Sequence, residues 1–153
     1  MVAEEFDVRK VILGEPAAIP NSIDPANVCD INSEGDGSAC WMEIANSPGC
    51  YVWNPQLNAK ESVTWSGTCT DDLAVGKGTL TWSWWMERRL APSLKVQHVG
   101  EGQILHGKQE GYWVIRHRGF DEGAVSEGEM VDGQRHGKWL MRYRSGETRS
   151  LHY

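Results

Sequence analysis

Gly128-Glu129-Met130-Val131-Asp132-Gly133-Gln134-Arg135-His136-Gly137-Lys138-Trp139 is the stretch that decides the fold. Within it, Val131-Asp132-Gly133-Gln134 sets an Asp-Gly pair between two strand-like runs, the pattern of a tight β-hairpin. A matching stretch lies 26 residues upstream, Gly102-Gln103-Ile104-Leu105-His106-Gly107-Lys108-Gln109-Glu110-Gly111-Tyr112-Trp113. At that single offset Gly102/Gly128, Gly107/Gly133, Gly111/Gly137, Trp113/Trp139, Arg116/Arg142 and Arg118/Arg144 coincide, and Val99, Val125 and Leu151 keep the step. A repeat of this length is one supersecondary unit that buries its apolar face by stacking on the next.

An earlier copy begins 35 residues upstream, where Gly67, Gly76, Gly78 and Leu80 stand for Gly102, Gly111, Trp113 and Ile115. Its nine additional residues fall around Trp84-Trp85-Met86-Glu87-Arg88-Arg89-Leu90-Ala91-Pro92, an insertion near 83–97 at a hairpin end, where repeats accept length change. The second strands alternate with period two. Trp113, Ile115 and His117 share one face, as do Trp139, Met141 and Tyr143, and Leu80 with Trp82. These form an aromatic-apolar stripe, and the opposite face carries Arg116, Arg118, Arg142 and Arg144. The expected fold is all-β: consecutive antiparallel β-hairpins in an elongated, twisted repeat sheet, behind a disulfide-rich N-terminal cap. Long helices are not expected, because Gly is spread through the second half of the chain and helix builders are scarce.

Before the repeats, residues 1–28 carry scattered prolines and read as an extended segment that wraps or docks, with one strand expected over Phe6–Leu13. Residues 29–61 read as a cysteine-bounded cap and first hairpin, with Trp41–Ala45 as a strand or one helical turn. Residues 62–153 hold the repeats. All four cysteines, Cys29, Cys40, Cys50 and Cys69, fall in the 41 residues from 29 to 69, with no C-x-x-C pair. That pattern favours two disulfides over a metal site and points to an oxidising compartment. The spacing alone allows three connectivities.

The pattern resembles the MORN repeat family, most closely over Glu127–Lys138 and Gly76–Trp82, and covers roughly residues 62–153. The copy at 98–120 departs from it, with Gly100 where an aromatic residue is usual. Trp41–Pro55 followed by Val63–Cys69 looks like the lead-in of bacterial envelope proteins of that type. The resemblance implies a Cys50–Cys69 bridge, leaving Cys29–Cys40 to close a local loop. It implies non-catalytic modules that bind proteins or lipid surfaces.

The net charge is -6 and unevenly spread: residues 1–85 hold 4 Lys/Arg against 12 Asp/Glu, residues 86–153 hold 11 against 9. An acidic chain is a poor general nucleic-acid binder, so no nucleic acid is expected. No apolar run approaches the length of a membrane span. Met1-Val2-Ala3-Glu4-Glu5 has neither a basic nor an apolar signal region, so an exported protein is expected here as its mature form with an added start Met. The expected location is periplasmic or secreted.

The candidate chemistry is sparse. No Gly-x-Ser-x-Gly occurs, and His98, His106, His117, His136 and His152 are dispersed. His106, His136 and Asp132 match no metal signature and read as turn residues. Asp71, Asp72 and Glu61 are the carboxylates that a small glycan-active enzyme would use, although Asp71-Asp72 falls at a repeat turn. Neither catalysis nor a cofactor or metal is expected. The Arg116, Arg118, Arg142 and Arg144 ladder repels itself unless Glu101, Glu127 and Glu129 neutralise it or an anionic partner arrives. Trp84, Trp85, Arg88 and Arg89 in the insertion have the composition of a protein-interface hot spot. The reading is therefore a protein-interaction or scaffold module of the envelope or secreted fraction, binding a protein or an anionic envelope component through these residues. A carbohydrate-binding module using exposed tryptophans is the alternative. Open sheet edges also permit self-association.

Overall fold

A computed structural model describes residues 23–32 and 34–153. The strand expected over Phe6–Leu13, and residues 1–22 of the N-terminal segment, lie outside these. Among the described residues there is no α-helix; one 3₁₀ turn, Pro25–Asn27, is capped by the Asp24 side chain. The rest is a mixed sheet of ten strands: β1 Cys40–Glu43, β2 Tyr51–Asn54, β3 Ser62–Trp65, β4 Thr68–Thr70, β5 Leu73–Arg88, β6 Ala91–Leu105, β7 Lys108–Arg118, β8 Val125–Val131, β9 Gln134–Arg142 and β10 Thr148–His152. The spatial order is β1-β2-β5-β6-β7-β8-β9-β10, with β3 and β4 both laid against β5. Neighbours from β5 to β10 are antiparallel, and the parallel element is the β2–β5 contact at Tyr51 and Leu73.

The β4–β5, β6–β7 and β8–β9 hairpins share one turn chemistry. Asp71-Asp72, His106-Gly107 and Asp132-Gly133 each take positive φ at both positions (51° and 65°, 49° and 78°, 53° and 81°). Turns of that hand match the right-handed twist of the flanking strands. They stack as well: Gly107 N–H donates to the Ala74 carbonyl at 2.9 Å, and Gly133 N–H to the Gln109 carbonyl at 3.0 Å. The β1–β2 hairpin closes over this row of turns, with Trp53 N–H on the Gly107 carbonyl at 2.7 Å and Trp41 edge-on to Trp53 at 5.2 Å.

A second feature recurs with the repeat. The register slips between Glu101 and Gln103, and again between Glu127 and Glu129, so that Gly102 and Gly128 each face a three-residue stretch ending in a tryptophan. The indole N–H of Trp113 donates to the Gln103 carbonyl at 3.2 Å, and that of Trp139 to the Glu129 carbonyl at 3.0 Å. In the first copy Trp65, from β3, donates to the Thr68 carbonyl at 3.0 Å, one residue after Gly67. Gly78, where the later copies carry tryptophan, leaves the space that Trp65 fills.

Period-two alternation buries one face. Leu80, Val96, Ile104, Trp113, Ile115, Met130, Trp139 and Met141 point inward, and most join Val63 and Trp65 with Met42, Ile44, Val52 and Leu57 in one core. The stripe is thus covered over much of its length by residues 29–65, and Trp113 and Trp139 have no exposed surface. Cys29–Cys40 and Cys50–Cys69 are the bridges that tie this covering segment together. Residues 83–97 form no loop. They lengthen β5 and β6 into one long hairpin, pairing Trp84 with Val96 and Trp85 with Lys95, with its tip at Arg89-Leu90.

Candidate functional site

The outer face carries the arginines. Arg116 on β7 and Arg142 on β9 both pair with Val125 on the intervening β8. The two guanidinium-bearing residues are therefore two strands apart, about 10 Å, with a half-buried valine between them. Arg118 pairs with Gln97, and Arg144 follows β9, its side chain lying over Gly123. All four are exposed. Glu101 and Glu127 flank Val114, one step along the strands from the arginine row. Neither forms an ion pair with an arginine: the ion pair present among the described residues within 4.0 Å is Lys108–Asp132, at 3.4 Å. Lys95 and Trp85 extend the same face toward the hairpin tip, and Trp85 is 44% exposed.

The other insertion residues are not gathered into one patch. Strand alternation sends Trp84 to the inner face and Trp85 to the outer. Arg88 Nε donates to the Pro92 carbonyl at 2.8 Å across the hairpin end, and Arg89 is exposed beside Leu90 at the tip. Sequence composition suggested a single Trp/Arg loop, but the side chains are distributed by strand pleat.

On the inner face a cleft of about 600 Å³ lies between the 54–61 segment and the sheet. Trp82, Trp84 and His98 form part of its floor; Arg135 and Tyr153 stand at the other side. His98 is edge-on to Trp84 at 4.7 Å and to His117 at 4.3 Å. Burial pushes His98 down to about 3, helped by His117 and Arg135. Burial and Arg135 also lower His117, whose Nε2 lies 2.9 Å from Ser126 Oγ. This Ser-His contact is not a nucleophile pair, because Ser126 is 1% exposed and no substrate reaches it. It is a satisfied polar link in the core.

Asp71 and Asp72 are separated in the structure from the buried Glu61. Asp71 and Asp72 are the exposed β4–β5 turn. Glu61 is buried, its Oε1 accepting from Asn54 Nδ2 at 2.6 Å and from Asn58 N–H at 3.0 Å, and burial raises its carboxyl above the usual range. Asp132 and His106 are turn residues, His136 is on β9, and no cluster of three potential metal ligands forms among the described residues. The sequence pattern gave no sign of Arg135 and Gln109 in the cleft. Their neighbours there come from segments as distant in sequence as Asn54 is from Arg135, so no local pattern marks them.

Compared with protein-family models, with curated proteins and with solved structures, the chain matches none.

Proposed function

We propose that the protein is a non-catalytic interaction module working outside the cytoplasm, and that it docks an acidic protein surface on its basic outer face. The observation that carries this reading is the exposed set Arg116, Arg118, Arg142 and Arg144, with no carboxylate within 4.0 Å among the described residues. Like charges held on one rigid sheet repel, so a row without ion-pair partners is relieved further by an anionic partner. Trp85 beside Lys95 adds an aromatic anchor to the same face. The two disulfides support an oxidising compartment. The recurrence of positive-φ turns and of the tryptophan-on-glycine contact supports a MORN-like repeat module.

The test is affinity capture from a native envelope extract. The baits are the wild-type chain and a variant with Arg116, Arg118, Arg142 and Arg144 changed to Ala. A protein captured by wild type, released by raised salt and lost by the variant supports the reading. Equal capture by both baits overturns it.

A further inference from the structure

The inner cleft has features that a packed core does not need. Its volume, about 600 Å³, lies in the range of small-molecule sites. Gln109 is 4% exposed and lines the cleft. Its side-chain amide has no hydrogen-bond partner among the described residues, and every fully buried polar side-chain atom among them has one. What remains accessible of the amide therefore opens into the cleft, where a ligand can serve as its partner. Arg135 holds its guanidinium 4.6 Å from the Trp139 ring centroid and 5.6 Å from that of Tyr153, and gives one N–H to the Tyr153 hydroxyl at 3.2 Å. It has no acidic partner within 4.0 Å among the described residues, so most of its five donors are uncommitted. Trp82 and Trp84, two residues apart on β5, bring two indoles to the same wall.

These groups specify a ligand class. The π-face of an indole is electron-rich and apolar, and the C–H face of a pyranose ring is its complement. Amides at Asn58 and Gln109 line the cleft and suit a ligand with hydroxyls, whereas an apolar acid would leave the Gln109 amide unpaired. The uncommitted guanidinium fits a carboxylate. The acid already present, Glu61, has its Oε1 occupied by Asn54 and Asn58.

We propose that this cleft binds an acidic saccharide of one or two rings, with a ring against Trp82 and Trp84, a hydroxyl on Gln109 and the carboxylate on Arg135. The site is on the opposite face from the arginine row and does not depend on it.

The test uses the full, disulfide-bonded chain, read by intrinsic tryptophan fluorescence and titration calorimetry. The probes are glucuronic acid, galacturonic acid and their disaccharides, then glucose and galactose, then benzoate. The expected result is saturable binding of an acidic sugar, with a Kd on the order of 1 mM or tighter. Neutral sugars and benzoate should bind at least about tenfold more weakly. Arg135→Gln should erase the preference for the acidic sugar, and Gln109→Leu should weaken sugar binding in a chain that keeps its acid preference. The fourfold outer-face Arg→Ala variant should bind sugar as wild type does. If Arg135→Gln fails to fold, by near-ultraviolet circular dichroism, Trp84→Phe in the wild-type background carries the test through loss of the fluorescence response. Absence of saturable binding by any acidic sugar, or equal affinity for glucose, galactose or benzoate, overturns the proposal.

Discussion

The Trp113 indole occupies the space in which residue 102 would otherwise carry a side chain: a Cβ placed on Gly102 would stand 2.4 Å from Trp113 Cδ2 and Cε2. Trp139 has the same relation to Gly128, at 2.6 Å. The glycines of the repeat are therefore there for close packing as well as for turns.

Gly102→Ala and Gly128→Ala should each destabilise the fold by about 2–4 kcal/mol, since neither fully buried tryptophan has room to retreat. Gly111→Ala meets nothing within 4 Å and bears only the strain of φ +75°, so its cost should be about 1–2 kcal/mol. Chemical denaturation of the three variants checks the order. Losses at Gly102 and Gly128 no larger than at Gly111 would show that the indole contact does not set the cost.

Acid should weaken the protein through His98. Its folded value, about 3, lies far below the ordinary 6.5, so above pH 6.5 both the folded and the unfolded chain hold it neutral and nothing is lost. As pH falls below 6.5 the unfolded chain takes up a proton that the folded one refuses, and stability drops until about pH 3. At pH 4.5 this amounts to about 3 kcal/mol. His98→Gln should shrink the difference in unfolding free energy between pH 7.5 and pH 4.5 by that amount, and an unchanged difference would contradict the burial argument.

Glu61 acts in the opposite direction. Its folded carboxyl is raised, so the unfolded chain releases its proton first and stability falls as pH rises through the ordinary carboxylate range. Glu61→Gln can keep the acceptor oxygen for Asn54 and Asn58 and carries no buried charge. It should leave the melting temperature at pH 8 equal to or above that of wild type, and any advantage over wild type should shrink at pH 4, where Glu61 is itself neutral. A large loss at pH 8 would show that the ionised form is the one the fold requires.

Reduction should detach the segment that covers the stripe. The bridges close separations of 11 and 19 residues, and losing either should cost about 3 kcal/mol. The Cys50→Ala, Cys69→Ala pair of substitutions should also increase hydrogen exchange across β3 and β4, because the bridge ties the chain just before β2 to β4. Unchanged exchange there would show that packing alone holds the segment down.

Local rules made much of the fold legible. Period-two alternation placed Trp113, Ile115 and His117 on one face and Arg116 and Arg118 on the other, and the Asp132-Gly133 pair marked a turn, because pleat and turn chemistry are properties of a few adjacent residues. The same alternation separates Trp84 from Trp85, but an insertion taken for a loop has no period to apply. The Glu101 and Glu127 carboxylates stand close enough in sequence to suggest neutralised arginines, yet pairing at 4.0 Å depends on side-chain reach and register, which sequence spacing does not set.

By itself, then, the sequence determined the alternation of strand and turn and the two faces of each strand, written in spacings of a few residues, while the cysteine spacing left three connectivities open. Only the tertiary structure decided what covers the inner stripe, that Trp65 takes the place a tryptophan at 78 would fill, and that Gln109, Arg135, Tyr153 and the 54–61 segment enclose one cleft. The physical reason is that these contacts depend on how the sheet curves and where the disulfide-tied segment lands on it. Both are set by packing summed over the whole chain and leave no period or motif behind.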